Sequence, residues 1–522
     1  MTSKLRFCNS FIKFVIKINI LRPIKQKYIM KKFNYILTIF LVLGFTFISC
    51  NKNDDPNPAT SGIDKPINDF IWKGMNSWYN WQPNVPDLAN TKDDDQNAYN
   101  TFLNGTANPE DFFYSLLFEE GTIDRFSWIV DDFVVLNNSF QGISKTFGFR
   151  LQAVKINTGG DIIFYVRYVA PNSPAEIAGI KRGDIINALD GVVLTESNYN
   201  ATSGKLSNET VTLSFVSANG GILTPVADKT ITAVQLSEDP VHFQKVFTDI
   251  NGKKVGYLVY NGFRSSYNDE LNTAFAFFKN EGIDELVLDL RLNGGGSVET
   301  SAYLASMIDA VAGTEIFAKL TFNAKHTNQS GSYTFQNTLK VYDANGTKTG
   351  EQAINRLTNI NQLYVLASGS TASASEMIIN GLKPFMPVKV IGTTTYGKNV
   401  GSITLYDSPS SDFTDEDSAN SAHLYAMQPI VFQIFNKADE SDYTNGFTPD
   451  IEVKEYQFWD AILPFGDENE VVLKAALDDI RGISAKQAEA SSKFSEIKEV
   501  EVSKLEKRFE KEMYINNEFF NQ

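Results

Sequence analysis

From about residue 250 the chain alternates short apolar runs with amphipathic stretches, and this alternation constrains its fold more than any other feature. "KKVGYLVYNGF" reads as a strand. "NDELNTAFAFFKNEG" then sets Leu271, Ala274, Phe275 and Phe278 on one helical face and stops at Gly282. "IDELVLDLRLNGGG" reads as a buried strand that runs into Gly294, Gly295 and Gly296. "QLYVLASGS", a helix from about residue 372, and "VKVIGTTTYGK" repeat the theme. Strands separated by helices pack as a layered α/β domain, expected here over 237–460 with "GFTPDIEVKEYQ" as its last strand.

The segments on either side differ in character. Residues 65–138 read as a small helical domain, with aromatics at helical spacing in "FIWKGMNSWYNWQPNVPDL" and a Pro-Glu-Asp helix start in "NPEDFFYSLLF". Residues 139–236 are β-rich. They carry "NSPAEIAGIKRGDIINALDGVVL", whose layout resembles a PDZ domain. Such a domain adds an extended peptide to a sheet edge and captures its carboxylate in a backbone nest. "TFGFR", Thr146 to Arg150, stands where that nest belongs, which makes Phe147, Gly148 and Phe149 the peptide-binding candidates. Residues 461–522 read as a helical end, with helices expected over "NEVVLKAALDDIRG" and "KEVEVSKLEKRFEKEMY".

Charge and cysteine usage narrow the setting. The nine Lys/Arg of residues 1–49 face no acid, so the remainder sets 38 bases against all 62 acids. A body this acidic repels phosphate backbones, which excludes nucleic acid as a partner. "MKKFNYILTIFLVLGFTFISC" has the two lysines, 14-residue apolar core and small end of an export signal, with Met30 as the better start. Its Cys50 matches the acylated cysteine of a bacterial lipoprotein, although Phe47 is unusual three positions earlier. Residues 51–64 are polar and Pro-containing, as a tether is. The expected location is the cell envelope, with a membrane anchor through Cys50. Cys8 and Cys50 are the only cysteines, so the folded body holds no disulfide or thiolate metal site.

The candidate chemistry sits in "GSTASASEMIINGL" (369–382), where small hydroxyl residues meet a helix start. Three histidines, His242, His326 and His423, show no metal-ligand spacing, so neither metal nor cofactor is expected. A serine nucleophile without a histidine needs another base, and Lys398 follows Ser373 by 25 residues at the end of a strand-like run. A lysine amine becomes a base when burial lowers its pKa from ~10.4. Ser373 at a helix N-terminus would have the Ala374 N–H beside it for a developing oxyanion, and the glycine run offers a second donor.

"DLRLNGGG", "TASASE" and "TTTYGK", in this order behind a PDZ-like segment, resemble the C-terminal processing (tail-specific) protease family over residues 140–455. The resemblance implies a crotonase-like α/β core and a Ser/Lys dyad. Ser373 is then the nucleophile and Lys398 the base, with Ala374 and Gly295 as the oxyanion hole. It also implies protein or peptide substrates, recognised by their C-termini. One departure is Ser402, which stands where many members carry a lysine-orienting glutamine. That departure motivates the alternative of a peptide-binding envelope lipoprotein, weak or inactive in catalysis, on the same fold.

Overall fold

The computed structural model describes residues 65–310, 315–483, 494, 496–500 and 510–516. The export signal, Cys50 and the tether lie outside the described residues, and all of those described belong to the compact unit Ile63–Gln522.

The core is a six-stranded sheet ordered Val241–Ile250, Lys253–Tyr260, Glu285–Asp289, Leu363–Ala367, Val388–Gly392, Ile451–Glu452. Its first pair is antiparallel and the remaining four pairings are parallel. Parallel strands need crossovers. Helix Asn268–Glu281 supplies one, ended by Gly282 at φ +64°, and helix Ala374–Leu382 supplies another. All five residues of both Glu285–Asp289 and Leu363–Ala367 are buried, because helices cover both faces of this sheet. Every residue of Ala374–Leu382 is also buried, packed against Val298–Ile308 and between the two sheets of the core.

A second six-stranded sheet runs Gly296–Ser297, Met513–Tyr514, Val400–Ser402, Ile430–Phe435, Ile316–Phe322, Gly331–Thr334. The β-rich domain is an eight-stranded sheet in which Phe149–Lys155 pairs with Ile162–Val169 on one edge. The short helix Pro174–Ile177 and the strand Ile185–Leu189 follow, as the PDZ-like string predicts. Before it come helices Pro66–Trp78, Gln96–Asn104, Pro109–Ser115 and Phe133–Phe140, together with a strand, Trp128–Val130.

The end of the chain differs from expectation. Helix Val471–Ile480 forms, but "KEVEVSKLEKRFEKEMY" is not one helix. Lys498–Val500 is a strand on the PDZ sheet and Met513–Tyr514 a strand in the second core sheet. Main-chain partners and burial of Met513, Tyr514 and Ile515 outweigh the local helix preference of the Lys/Glu-rich string.

The two halves are joined by buried charges. Arg167 and Arg182 of the PDZ domain meet Glu455 at 3.2 and 2.5 Å, and Arg291 meets Glu455 and Glu470 at 2.9 Å each. Arg291 also pairs with Asp289 at 2.6 Å, so each of its N–H groups faces a carboxylate.

Candidate active site

Strand Leu363–Ala367 ends at Ser368, and a turn carries the chain to Ser373, the residue before helix Ala374–Leu382. Thr371 Oγ1 donates to Leu290 O at 2.7 Å and Ser375 Oγ to Asn293 O at 3.0 Å, which pins this turn to the end of Glu285–Asp289. Ser373 is fully buried at φ +64°, ψ −119°, a conformation that costs a non-glycine residue about 1–3 kcal/mol. Among the described residues its hydroxyl has no hydrogen-bond partner, although Glu376 occupies the capping-box position three residues on.

Glu376 organises the site. Its Oε2 accepts from Ser373 N and from Lys398 N, both at 2.8 Å. Its Oε1 accepts from Gly397 N at 2.7 Å and Thr395 Oγ1 at 2.5 Å. One carboxylate oxygen therefore holds the main chain of both Ser373 and Lys398. Burial pushes the Glu376 carboxyl up, and these four donors oppose it. Nothing in the notion of a serine nucleophile pointed to Glu376 in this role; its spacing of three from Ser373 was the available signal.

Lys398 is 1% exposed. Its Nζ donates to Lys511 O at 2.8 Å, lies 3.6 Å from Glu512 Oε2 and sits 5.1 Å from the Phe126 ring centre. Burial, the larger effect, holds the amine below its ordinary value, and the Glu512 carboxylate pulls it back up. Burial likewise raises Glu512, against the pull of Lys398 and of Trp128 Nε1, which donates to Glu512 Oε1 at 3.0 Å.

The glycine run backs onto Ser373. A methyl group on Gly295 would fall 2.7 Å from Ser373 Cβ and 3.0 Å from Ala374 N. Only glycine permits that approach at φ +112°. Gly295 N itself donates to Asn293 Oδ1 at 2.9 Å, whereas Gly296 N donates to a main-chain carbonyl, Glu512 O, at 2.5 Å. The glycine N–H that meets a carbonyl is thus that of Gly296 rather than Gly295. Ala374 N is the first of the helix's N-terminal N–H groups, which have no carbonyl partner within the helix.

The remaining expected residues are placed as follows. Ser402 Oγ donates to Met513 O at 3.4 Å, in the chain's C-terminal segment. Phe147 is buried in the PDZ core and stacks on Phe149 at 5.8 Å. Gly148 N donates to Thr146 Oγ1 at 3.1 Å, and a side chain there would collide with Ser173 at 2.0 Å. His242 is half-buried against Tyr168 and Phe465, His326 stacks on Trp78, and His423 pairs with Asp407. A cavity of about 650 Å³ opens on Lys398, Ser368 and Ser370 from the core, and on Gln152, Arg167 and Val500 from the PDZ side.

Comparison with known proteins agrees with this architecture. Residues 254–453 match Peptidase family S41, residues 66–128 the Peptidase S41 N-terminal domain and residues 165–216 a PDZ domain. A "Carboxyl-terminal-processing protease" of Picosynechococcus sp. is 28% identical over 256 residues, which cover 47% of this chain and 54% of that one. A "Probable CtpA-like serine protease" of Staphylococcus epidermidis is 24% identical over 285 residues, 54% of this chain and 49% of that one. The chain thus spans about half the length of the curated relatives it matches. A crystal structure of a protein assigned to the S41 proteases, from Bacteroides fragilis, superposes with a TM-score of 0.61 at 26% identity. The match covers 84% of this chain and all of that one. The fold is that of these peptidases, with an N-terminal and a PDZ domain.

Proposed function

We propose, from the match of residues 254–453 to Peptidase family S41, that the chain is a serine endopeptidase whose acyl-enzyme forms on Ser373 with Lys398 as general base. The observation that carries this reading is the shared clamp. Glu376 ties together the main chain of a buried serine and a buried lysine whose amine is held below its ordinary pKa.

In the forward reaction the neutral Lys398 amine takes the Ser373 Oγ proton as Oγ bonds to the scissile carbonyl carbon. The N–H groups of Ala374 and Gly296 stabilise the oxyanion. The C–N bond then breaks, and Lys398 returns the proton to the leaving nitrogen. Water, deprotonated by the same amine, bonds to the acyl carbon, the C–Oγ bond breaks, and Lys398 gives the proton to Oγ, which regenerates Ser373. The PDZ domain presents or gates a peptide substrate, recognised by its C-terminus. The protein works in the bacterial cell envelope, anchored through a lipid on Cys50. Among the described residues no helix is long and apolar enough to cross a membrane.

The test is labelling with a serine-directed fluorophosphonate, read by intact mass, alongside peptide cleavage. One adduct on Ser373, absent from Ser373→Ala and Lys398→Ala, is the expected result. A second reading, a peptide-binding lipoprotein without turnover, is favoured by one observation: Ser402 Oγ donates to Met513 O in the C-terminal segment. Absence of both adduct and cleavage, with peptide binding retained, would establish it.

A further inference from the structure

The described parts of the last 27 residues occupy two places where a peptide substrate would be held. Lys498–Val500 lies antiparallel on Phe149–Lys155, pairing Lys498 with Lys155, Glu499 with Val154 and Val500 with Ala153. This is the edge of that strand opposite Ile162–Val169, and Val500 packs against the PDZ core. The pairing runs toward the Thr146–Arg150 loop, the direction a strand-adding peptide takes toward a carboxylate nest. Farther on, Arg150 of that loop meets Glu510 at 2.9 Å.

The chain then crosses the catalytic groove. Met513 and Tyr514 pair in parallel with Gly296 and Ser297, while Tyr514 also pairs with Ser402. Glu512 O takes the Gly296 N–H, and Lys511 O takes the Lys398 amine. A methyl group on Gly294 would stand 1.7 Å from Glu510 O, so the glycine run admits this backbone with no room to spare. Lys398 Nζ thus donates to Lys511 O and lies 3.6 Å from Glu512 Oε2, so both contacts of the amine are to the C-terminal segment.

We propose that residues 498–500 and 510–514 are built-in occupants of the peptide groove, parts of this chain that cover the PDZ edge and the catalytic cleft until a substrate peptide displaces them. The proposal rests on the reading of Ser373 and Lys398 as the catalytic pair. Two sites occupied by one segment, in substrate-like main-chain pairing, are hard to account for by packing alone: a tail anchored only for stability has no reason to engage the base and the oxyanion glycine together.

The sequence after Cys50 is free of cysteine, which permits a reversible test. Lys155→Cys/Lys498→Cys places two thiols on directly paired residues of an antiparallel ladder, within the span a disulfide bridges. Oxidation should slow fluorophosphonate labelling and peptide cleavage at least tenfold, and dithiothreitol should restore both, with the unsubstituted chain indifferent to either treatment. Deletion of residues 496–522 should raise both rates at least tenfold over the full chain. Because Met513, Tyr514 and Ile515 are buried, that deletion is informative only if far-UV circular dichroism and melting show a folded protein; otherwise the disulfide pair decides. Hydrogen exchange separates the two readings. Faster exchange at residues 294–297 in the reduced form, without labelling in either form, sinks the catalytic reading and keeps the occupant. Equal exchange and equal rates in oxidised and reduced protein overturn the proposal.

Discussion

Replacing Glu376 tests the reading of the site most directly, because one carboxylate takes four hydrogen bonds from three separate positions of the catalytic loop and from Ser373. A hydrogen bond to a charged group contributes about 1.5–3 kcal/mol, and an orphaned buried donor costs a similar amount. In Glu376→Ala all four donors lose their partner, a loss of roughly 5 kcal/mol or more, against a total stability of about 5–15 kcal/mol. That variant is expected to melt far below the parent or fail to fold. Glu376→Gln is the sharper probe. Its carbonyl oxygen can keep the Ser373 and Lys398 N–H groups, while its amide turns to Thr395, whose hydroxyl also accepts from Phe447 N at 2.7 Å. Only the Gly397 N–H then faces another donor, a loss of roughly 1.5–3 kcal/mol. The melting temperature should fall by several degrees, at about 2–4 °C per kcal/mol. Loosening of the loop that carries Lys398 should slow labelling of Ser373 by about a hundredfold, the scale of an ångström-level misplacement. Thermal unfolding and the fluorophosphonate rate measure the two effects on one sample. A Glu376→Gln protein that melts and labels like the parent would refute the clamp.

Two further outcomes follow from groups around the site. The proposed mechanism needs the neutral Lys398 amine, so the rate should rise with pH through an apparent pKa that burial holds below 10.5. Glu512 opposes that lowering, so Glu512→Gln should move the rising limb of the pH–rate profile to lower pH; a limb that stays or moves up refutes the pairing. Glu455→Ala removes the one carboxylate that Arg167, Arg182 and Arg291 all meet, leaving Glu470 to Arg182 and Arg291, and should cost about 3–5 kcal/mol in urea unfolding. Burial raises the Glu455 carboxyl, but the three guanidiniums together hold it far below its ordinary 4.5. Its contribution is therefore complete above pH 4.5 and lost as pH falls below that, so the variant should lose stability at pH 7 and show a flatter acid transition than the parent.

The alternation of apolar runs and amphipathic stretches made the core legible, because strands buried on both faces need an apolar residue at nearly every position. Helix Asn268–Glu281 was readable to its last turn because Gly282 must adopt φ +64°. Ser373 and Lys398 were readable as types in a pattern, yet the group that ties them together was not. Glu376 looks like an ordinary helix cap until Gly397 and Lys398 are seen to share it. The sequence narrowed the proposed second oxyanion donor to three glycines with Gly295 foremost, and could not show that Gly295 N donates to the Asn293 side chain while Gly296 N donates to Glu512 O. The C-terminal string misled for a different reason: its Lys/Glu content favours a helix, and its fate is set by sheet edges more than 100 residues away in sequence.

The small residues around Ser373 have a physical purpose that also limits how the site can be changed. Ala372, Ala374 and Ser375 are wholly buried, and Gly295 leaves less than a methyl group's space beside Ser373 Cβ. Nothing larger fits, so on the proposed function a substrate would meet Ser373 only through main chain, the part of Lys511, Glu512 and Met513 that contacts Lys398 and Gly296 beside it. The backbone of Ser373 carries about 1–3 kcal/mol of strain, and the single bond from its N–H to Glu376 offsets an amount of the same order. Strain and clamp therefore stand or fall together. Relaxing Ser373 by loosening Glu376 would relieve the strain of the turn while freeing the hydroxyl from its position relative to Lys398, the proposed base, which is why a less strained turn at this position is expected to be a less active one.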